Sequence, residues 1–168
     1  SHYSQKADFS IHLTQKGYVS NLKMAPHRRQ TAHKPANLDA AEVKILRGIS
    51  GEMQWRATNT FPSLAAGVSI SSGTVNTATI ADLQNANKLI KTAQADSDLS
   101  LIISPIPTDR LRWISFSDSS WANRHDKSSQ GGQIHLLADT SILQGHQAWA
   151  SIIGCCLLYT SDAADERS

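Results

Sequence analysis

Cysteine, charged residues and aromatic residues are all scarce in this sequence of 168 residues. The two cysteines, Cys155 and Cys156, are neighbours, so they cannot cross-link distant parts of the chain, and a disulfide-stabilised fold is excluded. They also lack the spaced Cys and His partners of a zinc site. Charged residues make up 18% and the net charge is +2, which is too small to indicate any class of partner.

Long apolar runs and low-complexity stretches are missing as well. No run approaches the roughly 20 apolar residues that a membrane-spanning helix needs, so we expect no membrane partner. Hydrophobic residues make up 40% of the chain, with only 9 glycines and 5 prolines, which excludes collagen-like and strongly charged disordered chains. The composition indicates one domain of ordinary size or parts of two.

The middle of the chain, residues 39–98, has helical periodicity. Asp39 is followed three residues later by Glu42, which is typical of a capping box and predicts a helix that continues to about residue 59. Pro62 suits the first turn of a second helix, and Thr79 suits the N-cap of a third. We therefore expect residues 39–95 to be entirely helical.

Two glycines interrupt the first of these helices. Gly48 and Gly51 each cost about 1 kcal/mol relative to alanine in a helix interior. Close packing of another backbone against the helix would explain them.

Strands are expected on both sides of this helical part of the chain, and Phe9–Leu13 alternates apolar and polar residues. Tyr18, Val19, Leu22 and Met24 could form a short helix that Pro26 ends. One segment, Leu111–Ser117, is apolar on both faces, which is typical of a central strand in a covered sheet. We also expect the four tryptophans to be core residues. The predicted strands are Phe9–Leu13, Leu99–Ile103, Leu111–Ser117, Gly132–Leu137 and Trp149–Ile153, and the tryptophans are Trp55, Trp113, Trp121 and Trp149. The fold class is therefore α+β.

A basic segment separates the first residues from the helical part. It contains Arg28, Arg29 and Lys34 and almost no apolar residues. These side chains could contact a nucleic-acid backbone, or the segment could be a solvated loop. The basic segment alone favours the loop.

Asp118 follows the apolar strand directly. A carboxylate at the end of a buried strand is costly unless it is paired or binds a cation. The alternative is an aspartate that caps the next turn, which is common. Spacing alone favours the turn.

The last residues have an unusual origin in our interpretation. Residues 156–166, CLLYTSDAADE, resemble the translation of a sequencing-library adapter. We therefore expect residues 156–168 to be an adapter-derived tail that makes no stable contacts with residues 1–155, and the natural chain to be interrupted near Cys155.

Two ordered sets of motifs resemble copia-type retrotransposon polyproteins. The first is Phe116-Ser-Asp118-Ser-Ser-Trp121-Ala122-Asn123-Arg124, followed by Ser128-Ser129-Gln130-Gly131-Gly132, which is similar to the opening of the family's RNase H domain. The second is Leu46-Arg47-Gly48, Gly51, Gln54-Trp55, Ala57-Thr58 and Pro62, which resembles the family segment Leu-Arg-Gly-x-x-Gly-x-Leu-x-Trp-Leu-Ala-x-x-Thr-Arg-Pro-Asp.

The resemblance implies a domain order. Residues 1–38 would be the end of the reverse transcriptase region with a basic linker, and residues 39–98 a helical thumb or connection. Residues 99–155 would be the first strands of a truncated RNase H-like sheet, and residues 156–168 the adapter-derived tail.

The resemblance also implies a function. The complete protein would copy RNA into DNA and hydrolyse the RNA of RNA–DNA hybrids with two Mg²⁺ ions held by carboxylates. Asp118 would be the first catalytic, metal-binding carboxylate, and the others would lie beyond Cys155. The fragment itself would be inactive. Its partners would be the hybrid and the remainder of the polyprotein, inside the cell.

Two rival interpretations remain open. The chain could be a non-catalytic nucleic-acid-binding relic or a domesticated module, whose basic linker and helices still bind a hybrid duplex. It could also be an unrelated α+β domain with a chance motif. A Tyr-x-Asp-Asp motif upstream and a helix-borne glutamate downstream would distinguish the enzyme from both.

Overall fold

The computed structural model describes residues 1–27, 36–120 and 129–160, the last four of these by their backbone alone. Within these ranges the chain is α+β, as predicted, with four α-helices and two three-stranded sheets. The helices are α1 (Lys16–Ser20), α2 (Ala40–Asn59), α3 (Ala65–Gly73) and α4 (Ile80–Ala95). The strands are β1 (His2–Gln5), β2 (Ile11–Thr14), β3 (Leu101–Ile103), β4 (Leu111–Ser120), β5 (Ser129–Asp139) and β6 (Ala150–Thr160).

The chain divides into two compact units. The helical unit comprises Ser1–Tyr3 and Leu13–Ser100, and it contains all four helices. The sheet unit comprises Ser4–His12 and the chain from Leu101 onward, with strands β3 to β6. One sheet has the strand order β1-β2-β3 and the other has the order β4-β5-β6.

Helix α2 begins at the predicted capping box. The Asp39 carboxylate accepts the Glu42 N–H at 2.9 Å, and the Glu42 carboxylate accepts the Asp39 N–H at 3.0 Å. Two N–H groups that lack helical partners are thereby satisfied. The predicted helix is confirmed to its last residue, since α2 ends at Asn59.

The start of α4 is also determined locally. The Asp82 carboxylate accepts both the N–H of Thr79, at 2.8 Å, and its hydroxyl, at 2.7 Å. Pro62 begins a 3₁₀ turn, Pro62–Leu64, that leads directly into α3. The three predicted helices of this segment are therefore present.

The helical unit has a well-defined apolar core. Most of its least exposed apolar side chains come from α2, α3 and α4, and the burial of each large one stabilises the fold by roughly 1.5–3 kcal/mol. They include Leu46, Ile49, Met53, Val68, Ile80, Leu83 and Ile90.

Two amide side chains of α4 hold the segment that follows α1. Asn87 donates to the carbonyl of Ala25 at 3.0 Å and accepts the Ala25 N–H at 2.8 Å. Gln94 donates to the carbonyl of Leu22 at 3.0 Å. Because this segment has no regular secondary structure, these side chains supply backbone partners that a helix or sheet would otherwise supply.

A buried cation lies in the same unit. Arg56 is fully buried, and its guanidinium donates to the Thr60 hydroxyl and to the carbonyl of Asp96. The guanidinium also lies 5.2 Å from the centre of the Phe61 ring. Burial lowers the pKa of Arg56, and the negative charge of Asp96 opposes that effect. The charge is held inside by these contacts, which the sequence pattern did not indicate.

The sheet β4-β5-β6 is an antiparallel meander. Leu111 pairs with Asp139 and Ser120 pairs with Gln130, so β4 and β5 are in register over the whole of β4. The pairing of β5 with β6 shifts between His135 and Leu136. Consecutive antiparallel strands can be joined by local chain reversals. This arrangement is consistent with strands that were predicted one after another along the sequence.

The prediction that Leu111–Ser117 is a central, covered strand is wrong for the described residues. There β4 is the edge strand of its sheet, and Trp113 and Phe116 are 65% and 56% exposed. The core assignment is also wrong for Trp55 and Trp149, which are largely exposed, and Trp121 lies outside the described residues. The apolar residues identified the strand, but they could not establish what covers its faces.

The expectation that the tail makes no contacts is wrong for residues 156–160. Strand β6 continues through Thr160, and this part pairs with β5, where Cys156 lies opposite Gln133 and Thr160 opposite Ser129. A backbone ladder uses N–H and C=O groups that every non-proline residue carries, so a segment can pair without side chains adapted to the site. Residues 161–168 lie outside the described residues.

Candidate functional site

Asp118 lies near the end of β4, in register with Gly132 of β5. Its side chain is exposed, and its Oδ1 accepts the N–H of Ser119 at 2.8 Å. No cationic side chain among the described residues pairs with this carboxylate. Its second oxygen therefore faces solvent without a partner from the described chain.

The environment of Asp118 differs from both sequence interpretations. The carboxylate is not buried, because β4 is an edge strand with exposed faces. It does not cap a turn either, because β4 continues to Ser120. An exposed carboxylate has no desolvation cost to offset, so its position does not itself require a cation.

A shallow cavity of about 320 Å³ opens beside Asp118. Its lining is polar and comes from the paired ends of β4 and β5, namely Ser117, Asp118, Ser119, Gly131, Gly132 and Gln133. Gly131 and Gly132 lie opposite Ser119 and Asp118, so the partner strand places no side chain there. The two glycines leave room for a polar ligand next to the carboxylate.

The donor set at this cavity fits one ligand position of a hard cation. Mg²⁺ prefers carboxylate and other oxygen ligands and keeps several of its waters. Within residues 1–27, 36–120 and 129–160, no three His, Cys, Asp or Glu side chains come together as a metal site. Asp118 could therefore be one ligand, but the described residues do not complete a site.

A polar cluster lies on the other face of the same strand. Trp113 donates its indole N–H to the Ser115 hydroxyl at 2.8 Å, and that hydroxyl is 2.8 Å from Nδ1 of His135. The rings of Trp113 and His135 are 5.6 Å apart. Residues 113 and 115 alternate with Asp118 in the strand, so this cluster faces away from the carboxylate. Sequence reasoning missed it, because the pairing with His135 depends on strand register.

A second cavity, of about 440 Å³, lies in the helical unit, and we call it the α2 groove. It is lined by Arg47, Ser50, Gly51 and Gln54 of α2 and by Ser72, Val75 and Asn76. Arg47 donates to the Asn76 side chain at 3.4 Å. The Ser50 hydroxyl is buried and has no hydrogen-bond partner in the described chain. The groove therefore offers a guanidinium and several neutral polar groups to a ligand.

The glycines of α2 are exposed. A methyl group added at Gly48 or at Gly51 would meet no atom within 4 Å. Close packing of another described backbone therefore does not explain Gly48 and Gly51. Gly51 lines the α2 groove and Gly48 does not, and the side chain of Trp55, one turn beyond Gly51, is 51% exposed. The glycine signal was visible in the sequence, but it marks open space instead of a packed contact.

The basic residues singled out in the sequence, Arg28, Arg29 and Lys34, lie outside the described residues. The structure therefore does not place them relative to Asp118 or to the α2 groove. Their contact with a nucleic-acid backbone stays a prediction.

Comparison of the chain with protein-family models, with curated proteins and with solved structures gives no match. In the described part of the chain, none of the helices is long and apolar enough to cross a membrane.

Proposed function

We propose that this chain is a segment of a copia-type reverse transcriptase and RNase H polyprotein that binds an RNA–DNA hybrid. The complete protein copies RNA into DNA and hydrolyses the RNA strand of the hybrid, and this segment contributes one carboxylate, Asp118, to the hydrolytic site. The segment alone binds the hybrid without cleaving it, because one carboxylate cannot hold two Mg²⁺ ions.

The exposed carboxylate of Asp118 beside an open polar cavity is the observation that carries this proposal. The cavity is formed by the segment whose sequence resembles the start of the RNase H domain, and Asp118 is the family's first carboxylate in that resemblance. Mg²⁺ ions held there would supply an activated water and stabilisation of the leaving oxygen. Asp118 would supply negative charge at that position, and its bond to the Ser119 N–H would hold the carboxylate in one orientation.

The α2 groove supports a role in hybrid binding. Arg47 supplies a positive charge that a phosphate can approach, and the exposed indole of Trp55 is a surface on which a base or sugar can pack. Gly51 lets a ligand backbone come close to the helix, since no side chain stands in its way. An exposed Gly51 is costly in a helix that has only a structural role, because glycine lowers helix stability.

Hybrid binding tests the proposal with a matched pair of variants. Gly51→Ala fills part of the groove, and Gly48→Ala adds the same methyl group to the same helix outside it. Both should raise helix stability by about 1 kcal/mol. We expect only Gly51→Ala to weaken binding of a fluorescent RNA–DNA hybrid, measured by anisotropy at fixed salt. Equal affinities for both variants, or no binding by the parent chain, would count against the proposal.

The non-catalytic nucleic-acid-binding module is the second candidate, and the α2 groove favours it because the groove does not involve Asp118. The two candidates predict different results for a longer chain that supplies further carboxylates. The enzyme would then cleave the hybrid with Mg²⁺, whereas the binding module would hold it intact.

A further inference from the structure

The outer edge of β4 is open in the described part of the chain. In the sheet β4-β5-β6, only β5 pairs with β4, and no other described strand lies on its far side. Both faces of the strand carry exposed apolar side chains, notably Trp113 and Phe116. An open, regular edge with apolar side chains is a template for another strand.

The sequence of β4 is complementary to itself. A two-fold axis normal to the sheet keeps the two faces of the sheet separate when it relates one strand to its antiparallel copy. An odd-numbered residue can therefore lie opposite only an odd-numbered residue of the second copy, and an even-numbered residue only opposite an even-numbered one. An axis at Ser115 satisfies this condition. It pairs residues 111–119 of one copy with residues 119–111 of the other. Arg112 then lies opposite Asp118 of the second copy, and because of the symmetry this charge pair occurs twice.

The same register also matches side-chain size. Ile114 lies opposite Phe116, which brings two apolar side chains together on one face. Trp113 lies opposite Ser117 on the other face, where a small side chain leaves room for the indole. Moving the axis to Phe116 would place Asp118 opposite Ile114 and leave both charges of the strand without a partner, so the register at Ser115 is favoured.

Arg112 and Asp118 are available for this pairing. Arg112 is exposed and donates to the carbonyls of Asp109 and Leu111, not to a carboxylate. Asp118 is exposed, and no cation among the described residues pairs with it. The two residues are on the same face of one strand and too far apart along it to pair within a single copy, since six residues span about 20 Å.

We propose that the chain forms a two-fold dimer through antiparallel pairing of β4 with β4 of a second copy, centred on Ser115. The inference does not rest on the proposed function. It has a consequence for Asp118, because a carboxylate paired with Arg112 of the second copy is less available to a cation.

A charge-reversal series on the full chain tests the register. Sedimentation equilibrium is measured at chain concentrations up to about 100 μM, a range that covers micromolar dissociation constants. We expect the fraction of dimer to rise with concentration over this range. Arg112→Asp or Asp118→Arg places like charges opposite each other twice, and each should weaken the dimer roughly tenfold or more. The double variant Arg112→Asp/Asp118→Arg restores opposite charges and should recover the parent affinity. Lys88→Asp, an exposed change of equal charge in the helical unit, should have no effect.

Crosslinking gives an independent readout of the same register. In a background with Cys155→Ser and Cys156→Ser, Ser115→Cys places two thiols opposite each other within disulfide range. Ser117→Cys lies on the same face, but its two copies are offset by about 14 Å along the strands. We expect mild oxidation to crosslink the first variant and not the second.

Three results would overturn the proposal. These are a monomer throughout the concentration range, a double charge variant no better than the single ones, and crosslinking at residue 117 equal to that at residue 115. Circular dichroism of each variant separates a lost interface from a lost fold, and the double variant keeps the test decisive if one single variant unfolds.

Discussion

The helical unit and the sheet unit of this protein are stabilised in different ways. All but one of the buried apolar side chains in the described residues belong to the helical unit, and Ala138 of β5 is the exception. The sheet β4-β5-β6 is held mainly by its backbone ladder. Its Trp113 and Phe116 side chains are exposed, and its other large apolar side chains with described burial are half-buried. The helical unit therefore contains nearly all of the described apolar core, whereas the sheet unit carries the exposed aromatic side chains of β4 and the candidate carboxylate Asp118.

The largest expected effect concerns activity in the sheet unit. In a longer polyprotein chain that carries the remaining carboxylates, Asp118→Asn should abolish hybrid cleavage and leave hybrid binding largely intact. Asparagine keeps the shape and one carbonyl oxygen, but it lacks the negative charge that holds a hydrated dication. Cleavage rate and melting temperature, measured together across a Mg²⁺ titration, check this. Cleavage at the parent rate at any Mg²⁺ concentration would remove Asp118 from the site.

The second effect concerns stability and compares the two units directly. Leu83 is fully buried in α4, and Leu83→Ala should lower the free energy of unfolding by about 2–5 kcal/mol. Trp113 is a larger side chain but is exposed, and Trp113→Ala should cost less than about 1 kcal/mol. Denaturant unfolding followed by far-ultraviolet circular dichroism measures both. Equal losses would show that the sheet unit has a core like that of the helical unit.

A smaller effect concerns the segment held by α4. Asn87→Ala removes both hydrogen bonds to Ala25 and leaves buried backbone groups without partners, so we expect a loss of about 1–3 kcal/mol. Asn85→Ala changes the same residue type on the exposed side of the same helix and should stay within about 0.5 kcal/mol of the parent. Hydrogen exchange at the Ala25 amide should accelerate only in the first variant.

The smallest effect is a pH dependence at the end of β5. The backbone N–H and hydroxyl of Ser141 donate to the Asp139 carboxylate, and together with Arg110 they lower the pKa of Asp139. Because the folded pKa is depressed, this stabilisation is present above the unfolded value of about 3.9 and is lost as the pH falls through the folded pKa. Amide chemical shifts of Ser141 should follow that titration, and Asp139→Asn should remove it. Arg110→Gln should remove only the smaller, ionic contribution.

Both ends of α2, the start of α4 and most strands could be predicted from the sequence. The Asp39 and Glu42 capping box and the Thr79 and Asp82 contacts act over three residues, so the sequence contains everything that specifies them. Strand β4 was predicted for the same reason, since its run of apolar, strand-forming residues is a local property of the sequence.

Tertiary structure alone decided which of these elements are covered. Exposure depends on what lies across from a residue, and spacing along the chain does not specify this. The examples are the exposed faces and open edge of β4, the open space beside Gly48 and Gly51, and the exposed side chains of Trp55 and Trp113. The bonds from Asn87 to Ala25 and from Ser115 to His135 join residues far apart in sequence. Local order is encoded by neighbours in the chain, whereas burial and pairing depend on contacts between distant segments, and those contacts determine the candidate sites of this protein.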